Sequence, residues 1–389
     1  MKSLKRMLLK VPNKNYLIII AIAAIGFIAL TATKAAGYFA SVEPEDGQKT
    51  NVSILSDNSY SGGEAIQFGA ASAIKRFPGD PNPLVTGKAY WGAAIHGNGD
   101  PSRHEVPTGK SLSIRRTYWD MRTNKENNKW PYDDARGRLE ESLVTTKNDI
   151  DNNRLPFISY KLRHSWVDTA NGADQAVIDD LLRRLDNLGG PVWLVIHHEP
   201  EGGGGGGNGP KGEDEASGVQ GWVAMQRYIR SRMNAVGTKN IAFVANLMTW
   251  TWDSASGRNP AEWVPADAKN IWDVYTANSY CNNESRCLDG GWSVIDTPMW
   301  KNYEADMVSK SLPYGVGEWG DRGTNAAAAA DIQEVWEHTF ENNRDLVAWT
   351  YFDSNLNSPD GGWELKGEVL NRFQQILKND QRVMRINEL

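Results

Sequence analysis

The chain has 389 residues and a formal net charge of −6 at pH 7, and its isoelectric point lies near 5.6. Because no block of Lys or Arg occurs beyond the first fourteen residues, this acidic balance argues against a nucleic-acid partner. The length exceeds one average domain and fits a single large domain of about 250 residues or more with additional segments.

The N-terminus combines a basic flank with an apolar run. Five Lys and Arg residues lie within positions 2–14, and an uninterrupted apolar run follows from Tyr16 to Thr33. At about 1.5 Å per residue, this run just spans a bilayer core of about 30 Å. No clear small-residue cleavage site follows, so we favour an uncleaved anchor within residues 1–36 over a removed signal peptide. The positive flank predicts a single-pass protein of the cell membrane with an extracellular main domain, or a secreted protein if the segment is cleaved.

Residues 37–86 are predicted to form a short β-rich stalk and linker. Strand-like pieces alternate there with turns at Asp46-Gly47 and Ser61-Gly62-Gly63. The stretch resembles the opening strands of β-sandwich carbohydrate-binding modules, but it is too short for a whole sandwich. Phe77 to Thr86 contains three prolines and is predicted to be a linker.

From Gly87 onward, apolar strands alternate with amphipathic helices, which indicates repeated βα units. The count of eight strands predicts an α/β fold of the (β/α)8 TIM-barrel type over residues 87–389. The predicted strands are Ala89–Ile95, Leu112–Tyr118, Pro156–Tyr160, Val192–His197, Ile241–Leu247, Ile271–Ala277, Pro313–Gly317 and Leu346–Phe352. The predicted helices are Gln175–Leu188, Val219–Val236, Ala326–Phe340 and Leu365–Leu377.

Two strands of the predicted barrel end in glutamates. Glu199 follows the fourth strand, before Pro200 and six glycines, and Glu318 ends the seventh strand between Gly317 and Gly320. The fourth and seventh strands of such a barrel face each other across its mouth, where (β/α)8 enzymes keep their chemistry. Two carboxyl groups there can approach to about 5 to 5.5 Å, the separation used in retaining glycoside hydrolysis. Glu199 is the better candidate for the acid, and Glu318 for the nucleophile. For each, the alternative is a carboxylate that caps a helix or faces water.

These motifs resemble the clan A (β/α)8 glycoside hydrolases, and within that clan family 26, the β-mannanase family. His198-Glu199 in HHEPEG is similar to the family's acid motif, and Glu318-Trp319-Gly320 is similar to its Glu-Phe-Gly nucleophile motif. Asn278-Ser279-Tyr280 resembles the sixth strand, whose tyrosine hydrogen-bonds the nucleophile. The resemblance covers about Lys88 to Phe352 and implies double displacement on a β-mannan-like or related β-glycan, without a cofactor. Since Pro200, Glu201 and polyglycine replace the family's Asn-Gly and tryptophan cluster, the polymer stays open between mannan, mixed-linkage glucan, xylan and an envelope polysaccharide.

Sixteen tryptophans are more than a core of this size requires, and aromatic side chains at strand ends suit flat apolar ligands such as sugar rings. Each aromatic residue taken alone is more often part of the core. The predicted substrate-binding residues are Tyr118, Lys161, Trp166, His198, Trp250, Tyr280, Trp319 and Trp349. We expect a monomer whose partners are a polysaccharide and, through the N-terminal run, a membrane. The polyglycine segment is interpreted either as a mobile lid or as disorder.

Cys281 and Cys287 are the two cysteines of the chain, and in an oxidising compartment we expect one local disulfide, with two free thiols as the alternative. They lack nearby histidines and are not expected to bind metal.

Two other functions compete with hydrolysis at the paired glutamates. One is a non-catalytic carbohydrate-binding barrel at the cell surface. The other is a metal-dependent hydrolase, whose candidate ligands are His197, His198 and Glu199 with His96 or His104.

Overall fold

A computed structural model describes residues 52–56, 64–68, 75–82, 87–121, 132–202, 213–214, 216–281, 289–341, 345–355 and 362–389. The chain divides into two units, Met1–Ala73 and Ile74–Leu389. In the first unit, β1 (Val52–Ser56) and β2 (Glu64–Phe68) form an antiparallel pair, in the region where alternating strands are predicted. The predicted anchor, Tyr16 to Thr33, lies outside the described residues. No helix within the described ranges is long and apolar enough to cross a membrane.

The second unit is a closed barrel of eight parallel strands, which confirms the predicted (β/α)8 architecture. Each strand pairs with the next along the chain, and the last closes the barrel on the first. The largest shift from prediction is in the sixth barrel strand, which begins at Val274 because Ile271 and Trp272 pack against helices instead. The strands are β3 (Tyr90–Ile95), β4 (Ile114–Asp120), β5 (Leu155–Lys161), β6 (Val192–Ile196), β7 (Ile241–Met248), β8 (Val274–Tyr280), β9 (Tyr314–Gly320) and β10 (Leu346–Asp353).

Helices follow the barrel strands and cover them. The four predicted helices are present with small shifts at their ends, as in Gln175–Asp186, which buries Ile178, Leu181 and Leu185 at helical spacing. The described helices are α1 (Ser102–Thr108), α2 (Tyr132–Asp151), α3 (Trp166–Ala170), α4 (Gln175–Asp186), α5 (Gly218–Val236), α6 (Pro260–Trp263), α7 (Pro298–Ser309), α8 (Ala326–His338) and α9 (Gly367–Asn379).

Alternation along the strands divides the barrel residues between an outer core and an inner core. The inner core fills the lower barrel with Tyr90, Phe157 and Trp193, whose rings meet edge to face. Phe77 caps this core from below, with its ring centroid 6.1 Å from that of Trp193, and the Trp193 indole N–H donates to the carbonyl of Pro78. The prediction of a linker beginning at Phe77 is therefore wrong for this part, because Phe77 is buried in the barrel floor.

Candidate active site

Above the apolar floor, the barrel interior becomes polar. Arg116 of β4, Asn246 of β7, Asn278 of β8 and Glu318 of β9 are all buried there. A buried guanidinium is costly unless a carboxylate and hydrogen bonds compensate its charge. The Arg116 side chain lies 3.4 Å from Oε1 of Glu318 and donates to Oδ1 of Asn246 at 2.7 Å. The polar layer thus places one fixed positive charge directly beneath the barrel mouth.

Glu318 is held by groups on two neighbouring strands. The Tyr280 hydroxyl donates to Oε2 of Glu318 at 2.6 Å, and Arg116 approaches Oε1. Only 6% of the Glu318 residue is exposed. The hydrogen bond that the family resemblance implies between Tyr280 and Glu318 is present. A carboxylate that accepts from a hydroxyl group at one oxygen and lies beside a cation at the other is held in a fixed orientation.

An irregularity in β9 directs Glu318 into the mouth. The pairing between β8 and β9 steps from Ala277 opposite Val316 to Asn278 opposite Glu318, so Gly317 is an extra residue in β9. Such a bulge changes the direction of the side chain that follows it. A Cβ atom at Gly317 would lie 2.2 Å from the Arg116 and Asn246 side chains, so glycine is needed for the polar layer to pack here.

Glu199 enters the mouth from the end of β6 on a strained backbone. Its φ angle is +49°, and that of His197 is +63°, a region that non-glycine residues rarely adopt. Strain of this kind costs about 1 to 3 kcal/mol and concentrates at functional sites. Oε1 of Glu199 accepts a hydrogen bond of 2.6 Å from Nδ2 of Asn278. The sharp turn therefore places the carboxyl group over the polar layer.

The two glutamates have unequal environments. Burial raises the pKa of the Glu199 carboxyl group to about 8, and the negative charge of Glu318 acts in the same direction. The hydrogen bond from Asn278 and the charges of Lys161 and Arg116 oppose this rise. The Glu199 residue as a whole is half-buried, but its carboxyl group is surrounded by protein atoms. The environment of the carboxyl group is what determines its pKa. Glu199 is therefore mostly protonated at neutral pH.

Two of the predicted substrate-binding residues lie beside this pair. The rings of Tyr118 and His198 meet edge to face with centroids 5.3 Å apart, and both residues are half-buried. Nδ1 of His198 lies 2.7 Å from the Ser159 hydroxyl, which fixes the imidazole ring. Burial raises the pKa of the Tyr118 hydroxyl well above its ordinary value, and the charge of Glu318 adds to this effect. Tyr118 and His198 therefore form one wall next to the carboxyl groups.

Lys161 takes part in a second charged cluster instead of standing free. Its ammonium group donates to both oxygens of Glu213 at 2.9 Å. Glu213 also bonds Nε2 of His197 at 2.8 Å, while Nδ1 of His197 accepts from the Trp166 indole at 3.1 Å. Burial acts to raise the pKa of Glu213, but the His197 hydrogen bond and the Lys161 charge lower it to about 2. His197 is therefore a buried residue that packs against Trp166 and holds Glu213 through a hydrogen bond.

Three predicted sugar-binding tryptophans are core residues in the structure. Trp166, Trp319 and Trp349 are at most 2% exposed, so they offer no free ring face to a sugar, and the prediction that they bind substrate is wrong. Trp319 and Trp349 face the helices because side chains alternate along a strand, with their ring centroids 5.4 Å apart. Trp250 is half-buried, and the Arg258 guanidinium lies 5.2 Å from its ring centroid.

The cysteine and histidine predictions have different outcomes. Cys281 is completely buried, but Cys287 lies outside the described residues, so the disulfide stays a prediction. Each candidate metal-binding histidine has its own partner, as shown by His104, whose Nε2 lies 2.8 Å from Asp353. Within the described ranges, no group of three His, Cys, Asp or Glu residues could hold a metal ion. The polyglycine segment from residue 203 onward also lies outside the described residues.

Sequence reasoning missed Arg116, Asn246, Glu201 and Glu213, and it gave Asn278 no role of its own. A usable signal was present for the asparagines, since each interrupts an otherwise apolar or small-residue stretch near the end of its strand. A polar side chain inside a barrel strand has to find a partner within the barrel, so such a position predicts an internal hydrogen bond.

Comparison with protein-family models found no match, and comparison with curated proteins found none either. Solved structures do match. The mannanases BCman and man26, both from Bacillus subtilis, each superpose with a TM-score of 0.51 at 14% identity, over 80% of this chain and 96% of theirs. A triple mutant of the endo-β-1,4-glucanase Xac0030 from Xanthomonas axonopodis pv. citri superposes with a TM-score of 0.50 at 14% identity, over 75% of this chain and 99% of that one.

The barrel shares its fold with these enzymes. The HHEPEG and EWG motifs resemble clan A and its family 26, and the fold that this resemblance implies is thus confirmed. At 14% identity the likeness concerns the fold alone, and the roles of individual residues depend on the geometry of the site.

Proposed function

We propose that this protein is a retaining glycoside hydrolase that cleaves a β-linked polysaccharide, with Glu199 as acid/base and Glu318 as nucleophile. The main observation in support is that two carboxyl groups at one barrel mouth have different environments. Burial and the Glu318 charge raise the pKa of Glu199 to about 8. Glu318 receives a hydrogen bond from Tyr280 and lies beside the Arg116 cation. One group is thereby prepared to donate a proton and the other to attack.

The proposed reaction proceeds by double displacement. The Glu318 carboxylate attacks the anomeric carbon while Glu199 donates its proton to the departing glycosidic oxygen, and a covalent glycosyl-enzyme forms. The ionised Glu199 then takes a proton from water, whose oxygen attacks the anomeric carbon and releases Glu318. Both groups return to their starting protonation states. The net result is hydrolysis with retention of the anomeric configuration.

Several contacts support each role. Tyr280 and Arg116 direct positive potential at Glu318, so its carboxylate is oriented for attack. Asn278 holds one oxygen of Glu199 while the other remains available to the substrate. The paired charges of Lys161 and Glu213 lie on the side of the mouth next to Glu199.

We propose a neutral β-glycan, with mannan first among the candidates. Tyr118, His198 and Trp250 supply half-buried rings at the mouth, and flat ring faces suit pyranose sugars. The two mannanases and the endoglucanase whose structures superpose on the barrel support this choice of substrate class. We also propose that the N-terminal apolar run anchors the protein at the cell surface. Recovery of the full-length protein only from the soluble medium would count against this anchoring.

A polysaccharide panel tests the function directly. The full chain is incubated with β-mannan, mixed-linkage β-glucan, xylan and cell-envelope polysaccharide, and NMR records the anomer that forms first. We expect cleavage of at least one β-glycan with the β anomer appearing first, and no cleavage by Glu318→Gln. An α anomer as first product would contradict double displacement. Binding without cleavage would instead identify a carbohydrate-binding barrel.

A further inference from the structure

A chain of buried hydrogen bonds connects Arg116 to Glu199 across the barrel. Arg116 donates to Oδ1 of Asn246 at 2.7 Å, and Nδ2 of Asn246 donates to Oδ1 of Asn278 at 2.9 Å. Nδ2 of Asn278 then donates to Oε1 of Glu199 at 2.6 Å. Both asparagines are at most 1% exposed, so no solvent competes for these groups. At its other end, the chain begins beside Oε1 of Glu318.

The direction of this chain follows from the chemistry of its first member. A guanidinium group carries only donors, so Asn246 has to present its amide oxygen to Arg116. Its NH2 group then faces Asn278, which in turn has to present its own oxygen to Asn246. The NH2 group of Asn278 is therefore left to face Glu199. The Thr276 hydroxyl accepts a hydrogen bond from the second N–H of Asn246 at 2.8 Å and donates one to the carbonyl of Ala245, so it does not alter this order.

We propose that Asn246 and Asn278 are positioning residues, through which the Arg116 guanidinium holds Oε1 of Glu199 as a hydrogen-bond acceptor and directs the acid proton to Oε2. The catalytic meaning of this inference rests on the proposed function. In the first step the proton leaves Oε2 for the glycosidic oxygen, and in the second step Oε2 accepts a proton from water. Oε1 remains bound to Asn278 throughout. The buried chain thus fixes which oxygen of Glu199 exchanges protons with the substrate.

The same chain favours the ionised form of Glu199 and partly offsets its burial. A donor directed at a carboxylate lowers its pKa, whereas an amide oxygen directed at it raises the pKa. Loss of Asn246 would free Asn278 to rotate by half a turn and present its oxygen to Glu199. The other charged or titratable groups that face Glu199 belong to several elements, namely Arg116 and Tyr118 of β4, Lys161 of β5, Tyr280 of β8 and Glu318 of β9.

The test measures the pKa of Glu199 in the resting protein. The full chain is labelled with 13C-carboxyl glutamate, the Glu199 resonance is assigned by its loss in Glu199→Gln, and the pH is varied. We expect Asn278→Ala to raise this pKa by about one unit. Asn246→Leu, which touches neither carboxyl group, is expected to raise it by at least half as much. Thr276→Val is the matched control, since it lies in the same layer and bonds Asn246 but is not between Arg116 and Glu199.

The outcomes distinguish an effect that passes from Arg116 through both asparagines to Glu199 from a local effect of Asn278 alone. A higher pKa of Glu199 in both asparagine variants, with an unchanged pKa in Thr276→Val, supports the proposed chain of hydrogen bonds. A higher pKa in Asn278→Ala without one in Asn246→Leu would overturn the proposal, and so would an unchanged pKa in both variants. If Asn246→Leu does not fold, the same titration is carried out on Asn246→Ser. Because the titration uses no substrate, its result remains valid even if the polysaccharide panel shows no cleavage.

An activity readout then connects the chain to catalysis. In Asn246→Leu, the alkaline limb of the kcat/KM profile is expected to move upward in pH together with the NMR titration. The loss of kcat is expected to be larger for substrates with poor leaving groups, because these depend most on the proton from Glu199. Equal losses on good and poor leaving groups, with an unmoved alkaline limb, would leave the hydrolase in place but remove the positioning role.

Discussion

The Tyr280 hydroxyl group donates a 2.6 Å hydrogen bond to Oε2 of Glu318, from the end of β8 to the neighbouring strand β9. Hydrogen bonds to charged groups contribute about 1.5 to 3 kcal/mol. We therefore expect Tyr280→Phe to lower kcat/KM by roughly 10- to 100-fold while the fold is kept. The matched control is Tyr228→Phe, whose hydroxyl bonds Gln175 on the helical surface. Wild-type kcat/KM in Tyr280→Phe would contradict the role of this contact.

The role of Glu318 can be tested by chemical rescue. Removal of the nucleophile in Glu318→Ala should lower turnover by about four orders of magnitude or more. Azide added to this variant is expected to occupy the vacated space and give a glycosyl azide of inverted configuration. In Glu199→Ala, azide should instead attack the glycosyl-enzyme and give the retained configuration. The absence of any azide product with Glu318→Ala on an activated substrate would speak against its nucleophilic role.

The pH profile of activity should reflect Glu199. Burial and the charge of Glu318 raise its pKa to about 8, and the acid has to be protonated to act. We therefore expect kcat/KM to be flat from pH 6 to about 7.5 and to fall about tenfold per pH unit above 8. Glu199→Gln should abolish this alkaline limb on substrates with activated leaving groups. A limb that persists unchanged in Glu199→Gln would assign it to another group.

Glu201, a buried carboxyl group outside the catalytic pair, should make stability depend on pH. It is completely buried, Oε1 accepts from the Met248 amide and the Thr251 hydroxyl, and burial raises its pKa to about 7. Because the folded pKa is above the unfolded one, the associated stability is complete below about pH 4.5 and is lost as the pH rises through 7. The loss at pH 8 and above amounts to roughly 3 kcal/mol.

Replacement of Glu201 by glutamine removes this titration. We expect the Tm of Glu201→Gln, relative to wild type, to be higher at pH 8 than at pH 5, as measured by scanning calorimetry. Glu140→Gln serves as the control, since Glu140 is exposed and pairs with Arg184 on the helical surface. Parallel Tm curves for Glu201→Gln and wild type would mean that Glu201 does not titrate in this range.

The barrel and its two glutamates could be predicted from the sequence because each strand boundary depends on a few neighbouring residues. Apolar runs that end in Gly, Pro or polar residues identify each strand, and the chain order places the fourth and seventh strands opposite each other. The orientation of neighbouring residues was not accessible. Arg115 and Arg116 are adjacent, yet Arg115 turns outward to Asp149 while Arg116 turns into the barrel. Sequence alone does not say which of the two faces inward, because a shift of one residue exchanges them.

The incorrect tryptophan predictions have the same cause. Trp319 directly follows Glu318, so the alternation that brings Glu318 into the mouth places Trp319 against the helices. Phe77 was missed for a different reason. Its segment has the composition of a linker, and only the open floor of a closed barrel gives an apolar side chain there a place to pack.

Gly317 provides a last test, because its lack of a side chain makes room for the polar layer. A Cβ atom there would lie 2.2 Å from the Arg116 and Asn246 side chains and 2.7 Å from that of Asn278. We expect Gly317→Ala to cost about 1 to 3 kcal/mol of stability through overpacking and to lower kcat/KM further by displacing Arg116 from Glu318. Gly315→Ala is the control in the same strand, where the new Cβ atom would meet the Ala348 carbonyl at 3.0 Å, away from the glutamates. It should lower stability while kcat/KM of the folded protein stays near wild type, and equal activity losses in both variants would show that general distortion of β9 is the cause.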